Sequence, residues 1–289
     1  MRVLVTGASG NAGQEVCKQL AAQGFTVRRA DVAPPIADSQ PELEFVRCDT
    51  RTPADVQQAV AGCEAVIHLA AWHCAHTPPV SDATIFSVNV DGTFQVIEAC
   101  RANDIKTLVF ASSMAYGWWS VYGVSKVLGE DLCRMYHEVT GASVAMLRYH
   151  DFVPKPYLAF GEKLLRNGVD RRDVASATVA SLTAAVRNPY GLFRSIVHTD
   201  HGMPDAVINN FSELGPDWCE SVVPGAKTLI SKYSIDLPQS VERHDLSEAA
   251  NVIHWKPKFG FVEFLQGLKT RDVRGEDVQA LWAPGQLPE

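Results

Sequence analysis

The chemistry this sequence can do starts at Tyr122 and Lys126, four residues apart. On a helix that spacing puts both side chains on one face. An ammonium beside a phenol favours the phenolate and lowers its pKa, which makes the tyrosine a usable acid/base near neutral pH. Tyr-x-x-x-Lys also arises by chance as an exposed helical pair, so its place in the chain matters. The helix follows an apolar strand ending Phe110, Ala111, Ser112, Ser113, where a hydroxyl can hydrogen-bond a substrate oxygen held against the tyrosine. Tyr116 has no lysine four residues on, which leaves Tyr122 the better candidate.

Those side chains need a scaffold, and the first residues begin one. The strand at 2–6 runs into TGASGNAG at 6–13, with an amphipathic helix behind it. Gly7 lets the chain turn tightly off the strand, Gly10 lets backbone approach a pyrophosphate, and Gly13 lets the helix pack close to the sheet. The pyrophosphate then rests on the amides and positive dipole of the helix amino terminus. Helical spacing of Ala12, Val16, Leu20 and Ala21 covers 11–23, and further strands are read at 25–30, 43–47, 65–69, 106–111 and 143–148. Helices fall at 53–61, 82–102 and 122–139. This alternation predicts an α/β fold, a doubly wound parallel Rossmann sheet whose ligands bind outside the carboxyl ends of the strands.

From about residue 150 the alternation loosens among Pro154, Pro156, Pro189, Pro204, Pro216 and Pro224. One clear helix is predicted at 172–187, a strand at 193–198, and terminal helices at 245–253 and 261–268. The domain reading is therefore 1–150 for dinucleotide binding and 151–289 for a small irregular substrate lobe, partly merged with the Rossmann core. The last fifteen or so residues are expected to be poorly ordered.

A chain of 289 residues with 46% hydrophobic content suits one large α/β domain with a modest appendage. A net charge of −7 without a basic run argues against nucleic acid as a partner. No apolar stretch approaches a membrane span, and a strand starting at Arg2 leaves no room for a leader, so a cytoplasmic protein is expected. Seven scattered cysteines without CxxC fit reduced thiols, most of them core packing.

With TGASGNAG at 6–13, Asp31, CDT at 48–50, HLAA at 68–71, NVDGT at 89–93, FASS at 110–113, YGVSK at 122–126 and LRYHDFVPKP at 147–156, the chain resembles an extended short-chain dehydrogenase/reductase of the NAD-dependent epimerase/dehydratase family. The resemblance runs over roughly residues 1–190 and returns at 245–268. It implies NAD as cofactor, Tyr122 as the group that takes or gives the hydroxyl proton, and Lys126 as the group that holds the nicotinamide ribose and tunes the tyrosine. It also implies Ser113, rather than Ser112, as the residue that orients the substrate oxygen. Cofactor contacts are implied for Gly7, Gly10, Asn11, Ala12, Gly13, Asp31, Asp49 at the adenine, Thr50, Leu69, Ala70, Ala71 and Asn89, besides Tyr122 and Lys126. Asp31 ends a strand where a carboxylate accepts from the adenosine ribose and repels a 2′-phosphate, and Val32, Ala33 and Pro34 follow it without an arginine, so NAD is expected over NADP. A homodimer through the helices at 82–102 and 122–139 is a further implication.

One departure from the family bears on substrate. Only nine positions take the chain from Ser113 to Tyr122, where the family usually has a longer segment. Trp118 and Trp119 in that short loop either cover the nicotinamide or a sugar face, or plug the gap. His73, Cys74 and His76 lack the further ligands of a structural zinc site, so no metal is expected and a substrate-facing loop is the preferred reading. His150 and Asp151 follow the sixth strand, near where the family meets the nicotinamide end, and ordinary loop hydrogen bonding is the alternative. Arg171 and Arg172 either bind a substrate anion or form a charge cluster with Asp170 and Asp173. FVPKP at 152–156 and GEDL at 129–132 resemble uronate dehydrogenases. The leading expectation is an NAD-dependent oxidoreductase acting at a carbinol carbon of a sugar or sugar derivative, as a sugar-acid dehydrogenase. The alternatives are a nucleotide-sugar epimerase or dehydratase, and a non-catalytic NAD(P)-binding sensor.

Overall fold

The computed structural model describes residues 1–35, 40–74 and 78–282. In chain order the elements are β1 (Arg2–Thr6), α1 (Asn11–Ala22), β2 (Thr26–Asp31), β3 (Glu44–Arg47), α2 (Pro53–Val60), β4 (Ala65–His68), α3 (Asp82–Phe86), a π-helical turn (Ser87–Asp91), α4 (Gly92–Ala102), β5 (Thr107–Ser113), α5 (Val121–Thr140) and β6 (Ser143–Tyr149). There follow α6 (Tyr157–Leu164), α7 (Arg171–Arg187), β7 (Leu192–Val197), α8 (Asp205–Asn209), α9 (Phe211–Val222), α10 (Ala226–Lys232), α11 (Ser247–Val252) and α12 (Phe261–Val273). The chain divides into two compact units. Unit 1 is Met1–Tyr149, Ala175–Ile196 and Ser247–Trp255, and unit 2 is His150–Val174, Val197–Leu246 and Lys256–Glu289. The first segment of unit 1 ends at Tyr149, and two later segments return to it.

The seven strands form one sheet in the order β3-β2-β1-β4-β5-β6-β7. The first six pair in parallel, with Val3 beside Val27, Val5 beside Ile67 and Phe110 beside Met146. Parallel strands require crossover helices, which bury both faces of the sheet; all four residues of β4 are buried accordingly. Leu4, Val66 and Leu108 of the sheet pack with Val96 and Ile97 of α4 and Cys133 of α5, all at or near zero exposure. Each such aliphatic side chain contributes roughly 1.5–3 kcal/mol by its burial. Gly129 lets α5 close on the sheet, since a Cβ there would lie 2.4 Å from the Phe110 ring. The strand order reverses at β1, between β2 and β4, and this switch point places the glycine turn at a ligand crevice. Of the seven cysteines six are buried and Cys74 is exposed.

Unit 2 is more helical than its prolines suggested. Pro156 and Pro204 stand at the amino termini of α6 and α8, where a missing N–H costs nothing. Pro216 lies inside α9, where buried Phe211, Gly215 and Cys219 at four-residue spacing hold the helix regardless. Phe211, Phe261, Phe264, Leu265 and Leu268 centre a separate core. Residues 283–289 lie outside the described residues, but the tail before them is packed: Trp282 meets the Tyr157 ring at 4.9 Å and Phe160 at 5.3 Å. Among the described residues no helix is long and apolar enough to cross a membrane.

Candidate active site

The turn after β1 is shaped by what its glycines exclude. Gly7 has φ +66°, and a Cβ on it would lie 2.7 Å from Ala70 N; a Cβ on Gly13 would lie 2.2 Å from the Gly7 carbonyl oxygen. Gly10 N donates to Gly7 O at 3.1 Å, closing the turn. The amino terminus of α1 begins at Gly10 with no side-chain cap and no acidic residue in its first turn. Its amides and dipole suit an anion, and the close backbone leaves a cradle that fits the pyrophosphate of a dinucleotide. Leu69, Ala70 and Ala71 follow β4 on the side that Gly7 packs against. Asp31 ends β2 with one carboxylate oxygen accepting from Ser9 N (2.9 Å) and the other from Val32 N (2.7 Å), which ties it to the glycine turn.

Asp49 is paired within its own loop. Arg51 grips its carboxylate through Nε and Nη2 at 2.6–3.2 Å, and this hydrogen-bonded guanidinium holds Asp49 below the usual carboxylate range. The oxygen expected to meet adenine is thus shared with Arg51. Neighbouring Thr50 is buried, with its Oγ1 packed so closely on Gly92 that a Cβ there would lie 2.6 Å away.

Tyr122 lies in the first turn of α5, started by Ser120, whose Oγ accepts from Gly123 N at 3.1 Å. Lys126 stands one turn on, and both residues are buried. Lys126 Nζ donates to Ala111 O at 2.9 Å and lies 5.6 Å from the Tyr122 ring centre, and burial pulls its pKa down to about 8. Asn89, inside the π-helical turn, donates to Ser125 Oγ (3.0 Å) and Trp72 O (3.0 Å) and accepts from Trp72 N (2.8 Å). Ser125 Oγ in turn donates to Tyr122 O at 2.7 Å. The helix predicted over 82–102 is present, but the widened turn in its middle carries Asn89, as such turns do at functional sites.

The two serines at the end of β5 point to opposite faces, as successive strand residues must. Ser112 Oγ donates to Glu130 Oε1 at 2.5 Å, and Glu130 is buried and gripped by Arg148 at 2.7 and 2.8 Å. Ser112 therefore serves the scaffold. Ser113 is less buried, and its Oγ accepts from Ala115 N at 3.1 Å while Ala115 packs in one cluster with Tyr122 and Ile85. Tyr116 carries the Arg148 guanidinium over its ring at 3.6 Å, which sets it apart from Tyr122.

Trp118 and Trp119 are 57% and 101% exposed, so they plug no gap. His73 packs its ring 4.7 Å from that of Tyr122, with exposed Cys74 beside it; His76 lies outside the described residues. Arg172 is engaged by Asp170 at 2.7 and 2.9 Å and stacks on Phe259 at 3.6 Å, the charge-cluster alternative rather than a substrate clamp. Asp173 takes the amides of Lys258 and Phe259 at 2.8–3.0 Å.

The profile of the NAD dependent epimerase/dehydratase family matches residues 3–171. The chain belongs to that family. Among curated relatives, the uronate dehydrogenase of Pseudomonas putida is 29% identical over 171 residues, covering 54% of this chain and 62% of its own length. L-arabinose 1-dehydrogenase (NAD(P)(+)) of Haloferax volcanii is 33% identical over 175 residues, covering 51% and 65%. The match spans less than two thirds of the length of these relatives. Among solved structures, a mutant uronate dehydrogenase from Agrobacterium tumefaciens complexed with NAD is 28% identical with a TM-score of 0.57, covering 68% of this chain and 77% of that one.

Within this epimerase/dehydratase-family chain, sequence reasoning missed two positioning residues. Glu130 stood in the GEDL run, where a carboxylate between buried Gly129 and Cys133 signals an inward charge. His68 lies within HLAA, where no local signal marks it. Thr93 Oγ1 donates to Asn89 O (2.6 Å), so it accepts from His68 Nε2 (3.0 Å), and His68 Nδ1 then accepts from Thr6 Oγ1 (2.7 Å). This chain of bonds links β1 through β4 to the π-helical turn.

Proposed function

We propose that this protein is an NAD-dependent oxidoreductase that oxidises a carbinol of a small sugar or sugar acid and releases the product. The buried pair of Tyr122 and Lys126, one helical turn apart beside the end of β5, carries this reading. NAD, when bound, supplies the hydride acceptor. The glycine turn and α1 hold its pyrophosphate, Asp31 its adenosine ribose, and Leu69, Ala70, Ala71 and Lys126 its other half. Ser113 orients the sugar oxygen and Tyr122 takes its proton, with the neighbouring ammonium favouring the phenolate. Residues 1–150 carry the cofactor contacts, and the remainder of the chain sets sugar specificity. Supporting a free sugar over a nucleotide sugar are the short Ser113 to Tyr122 loop with its two exposed tryptophans and the sugar dehydrogenases among the relatives. We also propose a cytoplasmic homodimer joined through α3, α4 and α5, whose exposed Phe86, Phe94, Val124 and Val139 offer apolar surface; light scattering on the eluting protein checks it.

The experiment is incubation with NAD and separate panels of uronic acids, neutral sugars and nucleotide sugars, following NADH absorbance and the stereochemistry of recovered sugar. Steady NADH accumulation with a free sugar or sugar acid is expected. Epimerised nucleotide sugar without net NADH overturns the dehydrogenase reading in favour of an epimerase, and cofactor binding without turnover of any panel member points to a sensor.

A further inference from the structure

We propose that His150, His198 and His244 form a binding site for one divalent transition-metal ion, zinc by preference. The three come from separate segments of unit 2, after β6, after β7 and before α11, and meet with ring centres 4.2, 4.6 and 5.0 Å apart. One ring nitrogen from each lies within 4.8 Å of the other two.

The hydrogen bonds decide which nitrogens are available. Consecutive carbonyls take one nitrogen from each buried ring: Asn167 O meets His150 Nδ1 at 3.3 Å and Arg166 O meets His198 Nε2 at 3.1 Å. His150 Nε2 and His198 Nδ1 then keep their lone pairs. Both atoms are buried, and among the described residues neither has a hydrogen-bond partner. Among the described residues, buried His68 and half-buried His201 behave differently. His68 uses both nitrogens on threonines, and His201 uses Nε2 on Leu164 O (2.9 Å) and Nδ1 on Phe261 N (3.2 Å). A histidine kept only for packing would be satisfied in the same way, because a buried unanswered lone pair costs free energy.

An ion answers both lone pairs at once, and a ring whose far nitrogen donates to a backbone carbonyl is the usual form of a metal-ligating histidine. Glu242 completes the arrangement. Its Oε1 lies 3.0 Å from His244 Nε2 and 3.9 Å from His150 Nε2, near enough to orient His244 or to supply a fourth donor. His244 and Glu242 are partly exposed, which gives the ion a way in and leaves room for water. Imidazole donors suit zinc, copper, nickel and cobalt rather than magnesium or calcium. Zinc–nitrogen bonds of about 2.0–2.1 Å bring tetrahedral donors to roughly 3.4 Å of one another, so the rings draw together on binding. The site is independent of the sugar-oxidation reading.

The test uses tag-free, chelator-stripped full-length protein titrated with Co²⁺, followed by its visible d–d absorption, then with Zn²⁺ by calorimetry and thermal melting. One ion per chain, a four- or five-coordinate cobalt spectrum abolished by added zinc, and a zinc-dependent rise in Tm are expected. His244→Ala should weaken binding at least tenfold and Glu242→Gln by about 10–100-fold, each with the far-ultraviolet spectrum and metal-free Tm of the parent. If His244→Ala fails to fold, Glu242→Gln gives the same reading. Absence of binding at cobalt or zinc concentrations well above micromolar overturns the proposal, as does unchanged affinity in Glu242→Gln or in a folded His244→Ala.

Discussion

Two sets of buried polar side chains, one in each unit, are used differently. In unit 1, Glu130 answers Ser112 and Arg148, Asn89 answers Trp72 and Ser125, and His68 answers Thr6 and Thr93. Those bonds tie β1, β4, β5, β6, α5 and the π-helical turn together around the strand ends. In unit 2 the buried rings of His150 and His198 each give one nitrogen to the backbone and keep another. A polar group whose bonds are all answered inside the chain is scaffold, and its removal should cost stability. Where two rings with unanswered buried nitrogens meet, as His150 and His198 do, the place is shaped for something that arrives from outside, and a change there should cost binding instead.

The largest effect on the scaffold side is expected from Glu130→Ala, which leaves Arg148 and Ser112 without their partner in a buried site. A loss of roughly 3–5 kcal/mol is expected in urea unfolding, and a loss below about 1 kcal/mol would break the distinction. Acid comes next. Burial holds His68 at about 3 and His201 at about 4, below the ordinary 6.5, and each ring accepts at one nitrogen, so each is neutral in the folded state. The unfolded chain binds protons that the folded chain refuses as pH drops below 6.5, so stability is full above that value and lost progressively as pH falls towards 4. Each group contributes up to about 1.4 kcal/mol per pH unit, or roughly 3 kcal/mol for the two at pH 5.5. Equal urea midpoints at pH 7.5 and 5.5 would contradict it.

Smaller again is Asp31→Ala, which removes the acceptor tied to the glycine turn. NADH affinity should fall about tenfold, near 1.4 kcal/mol, with NADPH gaining relative to it. Fluorescence titration checks this, and tighter NADPH than NADH binding by the parent chain would refute the role. The smallest effect sharpens the contrast from the other side: His150→Phe removes the unanswered Nε2 together with one 3.3 Å bond to Asn167 O, an oxygen that Asp151 N also meets, and should lower metal-free stability by only about 1 kcal/mol in urea unfolding.

What was legible in the sequence follows the same division. The glycine turn, the strand ends and the Tyr122 and Lys126 pair are short motifs whose spacing alone sets a face or a turn, so the strands and the order of the sheet's ligand-side residues could be read directly. Non-local closure hid the rest. His150, His198 and His244 stand more than forty residues from one another, and although His150 is marked by its place after the sixth strand, nothing in the local sequence marks the three as a set. His73, Cys74 and His76 stand out because they are near neighbours in sequence, yet His73 packs its ring against Tyr122. Pro156 and Pro204 read as breaks and are helix starts, because a proline ends one helix and begins another with the same missing N–H. The resemblance separates Ser113 from Ser112, but the bond from Ser112 to Glu130 of α5, eighteen residues away, was not legible.

The central claim is that Tyr122 moves the proton when a carbinol is oxidised, and Tyr122→Phe tests it most directly. With saturating NAD and the best sugar of the panel, the variant should bind NAD within about threefold of the parent while kcat, followed as NADH absorbance, falls about 10²–10⁴-fold. Turnover near that of the parent, with NAD binding intact, would contradict the account and move the acid/base role to another group, His73 first.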